Sequence, residues 1–183
     1  MFLILISFFF SSPFVYAQVN LQSIAAQYSL TTSTSLPFPT ATQANTDTQS
    51  FLINNWGLSS GRIQNGENDL QFVEDPFSSN NTTPVLQVTY DAGSYSHNTG
   101  GAQLYSRWNS SDGAPYQSMM VSYDVAFDQG FNWVKGGKLP GLRGGPDNNG
   151  CSGGNQPNGS DCFSTRFMWR TNGVGEGPFL FRP

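Results

Sequence analysis

Apolar and polar residues alternate with period two in several short runs of this chain, and clusters of Gly, Asn, Asp and Ser separate the runs. Strands joined by turns produce that pattern. In "VSYDVAF", Val121, Tyr123, Val125 and Phe127 take one side and Ser122, Asp124 and Ala126 the other, which predicts a core strand. In "GAQLYSRW", Ala102, Leu104 and Trp108 separate from Gln103, Tyr105 and Arg107, so the second set offers a polar surface suited to a sugar. In "CFSTRFMWR", Phe163, Phe167 and Trp169 alternate with Ser164, Arg166, Met168 and Arg170, placing a hydroxyl and two guanidiniums on one face. In "PFLFRP", Phe179 and Phe181 point the same way. Beyond Phe51 no stretch shows a convincing amphipathic helix. The expected fold class is all-β.

The chain begins differently. "MFLILISFFFSSPFVYAQ" is an apolar run ending in Val15-Tyr16-Ala17, the small-residue cleavage pattern of a secretory signal peptide, although no basic residue precedes the run. It predicts a leader over 1–17, a mature start near Gln18 and a secreted, extracellular protein. The run is too short to span a bilayer, so no membrane anchor is expected. Residues 29–50, "SLTTSTSLPFPTATQANTDTQS", are rich in Ser and Thr, with two prolines and little to bury. They read as an extended lead-in open to O-glycosylation, so 18–50 precedes a folded domain over 51–183.

Length and cysteine content sharpen this picture. The 183 residues suit one domain with a real core. Cys151 and Cys162 flank the run "SGGNQPNGSD", and an oxidising compartment favours their pairing as a disulfide. Two free buried thiols, or a zinc pair, are the alternatives. Sequons at Asn80, Asn81, Asn109 and Asn158 agree with a secreted glycoprotein.

Charge is unevenly spread. Up to Val134 two cations, Arg62 and Arg107, face nine carboxylates; from Lys135 onward six cations face three, so an acidic chain of net charge −4 carries a basic patch. Within the patch, "GGKLPGLRGG" (136–145) sets Lys138 and Arg143 among five glycines, and reads as a glycine loop holding charge out toward a ligand. A focused positive field suits a polyanion. A low pI and a secretory leader argue against nucleic acid, and an acidic polysaccharide fits better. The plainer reading places these cations on solvated strand faces or against the chain's own carboxylates.

"WGLSSGRIQNG", "GSYSHNTGGAQLYS", "FNWVKGGKLPGLRGG", "CSGG" and "CFSTRFMWRTNGVGEG" together resemble the secreted fungal members of polysaccharide lyase family 14, relatives of alginate and glucuronan lyases. The resemblance runs from Phe51 to the last residue. It implies a β-jelly roll of two curved antiparallel sheets with substrate across the concave one; the chain is expected to act as a monomer. It also implies β-elimination on a uronic acid polymer. That chemistry needs a neutralised carboxylate, a base for the C5 proton and an acid for the leaving oxygen. By the resemblance, Lys138 takes the family's lysine position, and Ser164 and Arg166 take the Ser and Arg that grip substrate. Arg166 offers a carboxylate the bidentate fork that lysine lacks. Gln103, Tyr105, Arg107, Arg143, Arg170, Phe179 and Phe181 complete the expected binding surface.

One departure bears on catalysis. Where the family places two tyrosines two residues apart ahead of a proline, this chain reads Phe179-Leu180-Phe181-Arg182-Pro183. A phenyl ring neither donates nor ionises, so their proton transfer would fall to Lys138, Tyr105 or the single histidine, His97, which otherwise serves as a structural hydrogen-bonder. A glycan-binding relative without turnover is the alternative function, since an aromatic face still stacks on sugar. A jelly roll ending on a fresh strand leaves an open edge, so the sequence also predicts further strands beyond Pro183, the alternative being a sheet finished by another chain. No metal-ligand spacing or phosphate-binding loop is present in the sequence, and no cofactor is expected.

Overall fold

The computed structural model describes residues 3–8, 20–58, 62–78, 82–96, 98–133, 136–146, 151, 157–177 and 179–180, the first and last segments as backbone. The chain divides into two compact units. One is Thr32–Gln117; the other joins Met1–Thr31 to Ser118–Pro183.

In the first of these, a helix stands where an extended lead-in is expected. Helix α2 (Asn45–Asn55) follows the short α1 (Leu21–Gln27) of the other unit. Only Thr48 and Leu52 of α2 are buried, too few to print a helical stripe on the sequence. Polar side chains fix α2 instead. Asn45 donates through Nδ2 to the carbonyls of Glu67 and Leu70, the latter at 3.0 Å, and Gln49 Nε2 donates to Asn45 Oδ1 at 2.7 Å. Buried Thr48 donates to the Gln43 carbonyl and accepts from the Phe72 N–H, both at 3.1 Å. These bonds hold α2 over the core of this unit: Leu52, Trp56, Leu58, Leu70 and Phe72. Phe72 meets Phe38, Phe51 and Trp56 edge-on. Burying each such apolar side chain contributes roughly 1.5–3 kcal/mol.

Two strand pairs complete the unit. β2 (Arg62–Asn65) pairs with β5 (Gln103–Tyr105), and β3 (Leu70–Val73) with β4 (Val85–Val88), both antiparallel. Arg62 sits directly opposite Tyr105, with its guanidinium carbon 4.7 Å from the ring centroid.

The second unit holds the long strands. β1 (Leu3–Phe8) runs parallel to β6 (Met120–Val125). β7 (Gly137–Gly144) and β8 (Phe163–Trp169) pair antiparallel, flanked by the short β9 (Gly175–Glu176) and β10 (Phe179–Leu180), which both pair with β8. The run 136–145, expected as a loop, is therefore mostly strand. Its glycines face partner groups that leave no room for a Cβ: at Gly137 it would lie 2.0 Å from the Trp169 ring, and at Gly144 2.5 Å from that of Phe163. A disulfide joins Cys151 to Cys162, immediately before β8, with Cα atoms 5.9 Å apart.

Strands in small, mainly antiparallel sheets with few helices make this an all-β protein, consistent with a sandwich; the described residues form no closed barrel. No helix among them is long and apolar enough to cross a membrane.

Candidate active site

The site is built by alternation on β8 and by one irregularity on β7. Along β8, Phe163, Thr165, Phe167 and Trp169 alternate with Ser164, Arg166 and Met168. The first set faces the core: Trp169 is buried and its ring packs 5.4 Å from Phe127 and 5.6 Å from Phe131, with Trp133 against both phenylalanines. Thr165, also buried, donates to the Leu142 carbonyl at 3.4 Å. The second set therefore lies on the opposite face, with Ser164 buried and Arg166 half-buried.

Residues paired directly across antiparallel strands share a face. Lys138 pairs with Met168, Gly141 with Arg166 and Arg143 with Ser164, so β7 adds Lys138 and Arg143 to the face of Ser164 and Arg166. A regular strand could not do this. Lys138 and Arg143 are five residues apart, an odd interval that points them to opposite sides. The register shifts between Lys138 and Gly141, where Leu139 and Pro140 together oppose the single Phe167. This β-bulge turns Leu139 into the core and returns both cations to one face. Proline suits the bulge because it has no N–H to withdraw from the ladder.

Three cations result, Lys138, Arg166 and Arg143, at successive same-face positions spaced about 6–7 Å along β8. At the far end Glu176 pairs with Met168, and its carboxylate accepts from Nε of Arg170. That bond holds the Glu176 carboxyl below its usual range and binds the Arg170 proton more tightly. Arg170 is thus engaged by a neighbour, a partner the sequence pattern does not signal.

Other expected site residues belong to other segments of the chain. Gln103, Tyr105 and Arg107 belong to the Thr32–Gln117 unit, where Gln103 donates to the Tyr105 hydroxyl and Arg107 is exposed beyond the end of β5. His97 and Phe181 lie outside the described residues. The backbone register of β10 pairs Phe179 with Thr165, of the core-facing set, and Leu180 with Ser164. Sequence reasoning also passed over Tyr123. Read as a core residue, it is half-buried on β6, and its hydroxyl donates to the Pro140 carbonyl, at the bulge, at 2.9 Å. Burial pushes that phenol above its ordinary range, so it stays a donor throughout the neutral range.

The model of the polysaccharide lyase 14 family matches residues 78–179, more than half of the chain, and spans the whole cationic face. The chain belongs to the polysaccharide lyase 14 family. No similar chain was found among curated proteins or among solved structures. Every described residue of β7 and β8 named above falls inside this lyase domain, as does the disulfide.

Proposed function

We propose that this lyase-family chain is a secreted enzyme that cleaves a uronic acid polysaccharide by β-elimination, on the β7–β8 face. The observation that carries the reading is the shared face of Lys138, Arg143, Ser164 and Arg166. A row of cations spaced along a strand matches a polymer with one carboxylate per sugar. Elimination begins by neutralising one such carboxylate, because negative charge flows onto it as the C5 proton leaves. Arg166 grips that carboxylate in bidentate fashion with the Ser164 hydroxyl beside it. Lys138, exposed on the same face, takes the C5 proton; the electron pair left behind forms the C4–C5 double bond as the C4–O bond breaks, and the leaving glycosidic oxygen takes a proton from solvent. Arg143 holds the carboxylate of a neighbouring sugar.

Secretion fits the disulfide and the exposed sequons Asn109 and Asn158. Cleavage near Gln18 would remove β1 along with the leader.

The fork is tested by Arg166→Lys, which keeps the charge and loses the bidentate geometry. On a uronan substrate, product formation followed by the ultraviolet absorbance of the unsaturated uronate should fall about 10²-fold. A rate equal to wild type would remove Arg166 from the role assigned here.

One observation favours a second reading, a glycan-binding protein without turnover. Phe179 and Phe181 stand where the resemblance places tyrosines, and Phe179 pairs with the core-facing Thr165. On that reading the cations bind a uronan and no product forms.

A further inference from the structure

The bulge that gathers the cations makes the β7–β8 register irregular. It sets two residues, Leu139 and Pro140, against the single Phe167, and a strand with an extra residue can slip by one position. Slipping would carry either Lys138 or Arg143 to the core side, because strand side chains alternate with period two. A contact from outside the ladder would favour the irregular register over a slipped one. The Pro140 carbonyl accepts the Tyr123 hydroxyl, on a strand that β7 does not pair with.

We infer that Tyr123 is a positioning residue, a latch on the Leu139–Pro140 bulge that keeps Lys138 on the face of Ser164 and Arg166. Three features support it. Pro140 is two residues from Lys138, so a bond to its carbonyl fixes the segment where the register changes. Tyr123 alone supplies a side-chain hydrogen bond to the bulge among the bonds described, and the buried Leu139 anchors the other side. Its hydroxyl, kept protonated by burial, holds as a donor under the alkaline conditions that would ionise an exposed phenol. Tyr123 thus acts through Lys138 and transfers no proton itself.

The catalytic consequence rests on the lyase reading; the structural one does not, and the test separates them. In Tyr123→Phe, hydrogen exchange of the Gly141 to Arg143 amides should quicken about tenfold as the bulge loosens. On a uronan substrate kcat per folded molecule should fall about tenfold, with KM within about twofold, because Arg166 and Ser164 stay on β8 while Lys138 loses its fixed place. Unchanged exchange at β7 overturns the latch. So does faster exchange with unchanged kcat in an active enzyme, and so does a lowered melting temperature with exchange and kcat both unchanged. If the wild type forms no product on any uronan, the lyase reading fails and the exchange result alone decides the latch.

Discussion

Gly137 shows what the glycines of the cationic segment are for. From sequence they suggest a loop that holds charge out toward a ligand, yet a Cβ at Gly137 would enter the Trp169 ring at 2.0 and 2.2 Å. Trp169 cannot retreat, because Phe127 and Phe131 pack on it. Gly137→Ala is therefore expected to lower stability by about 1–3 kcal/mol, read as a shift in the urea midpoint with unchanged slope. An alanine variant as stable as wild type would mean that Trp169 does not lie across this position. The face assignment of Ser164 and Arg166 was legible from alternation alone. The purpose of the glycines was not, since their cross-strand aromatic partners, Trp169 for Gly137 and Phe163 for Gly144, lie on another strand far along the sequence.

Among the elements, β7 and α2 were the hardest to read. A strand with a bulge breaks period two at the point where the functional residues sit, so Lys138 and Arg143 look like opposite-facing or loop residues. Helix α2 carries Phe51, Leu52 and Ile53 in an otherwise polar run, and Ile53 remains exposed, so side-chain bonds to neighbouring carbonyls take the place of a hydrophobic stripe. β8, which keeps period two throughout, was legible almost residue by residue. The pair between Arg170 and Glu176, at the β9 end of the sheet, gives a pH prediction. Glu176 has a folded pKa below its unfolded value, near 4.3 for a free side chain. Its contribution to stability is therefore present above that value and lost as pH falls through the depressed one. Wild type should melt above Glu176→Gln at neutral pH, with the gap closing in acid and narrowing in high salt, because both partners are exposed. A gap that widened on acidification would contradict the pairing.

For the whole molecule, composition and charge set the direction, and structure supplied the division. An acidic chain with a basic C-terminal segment pointed to a polyanionic ligand, and the register of β7 against β8 concentrates that charge on one face. The family match covers this face. The division into two units had no sequence signal, because the second unit joins segments from both ends of the chain. Consequently the polar set Gln103, Tyr105 and Arg107, read as one surface with the cations, belongs to a different unit. The central claim is that the β7–β8 face performs elimination with Lys138 at the moving proton. Its most direct test compares wild type with Lys138→Ala on glucuronan and on alginate, following unsaturated uronate by absorbance and uronan binding in parallel. The account predicts product from the wild type on one of the polymers, a loss of about 10²-fold or more in the variant, and binding changed only a few-fold. A folded wild type that binds a uronan and makes no product, or a Lys138→Ala variant that turns over as fast as wild type, would contradict it.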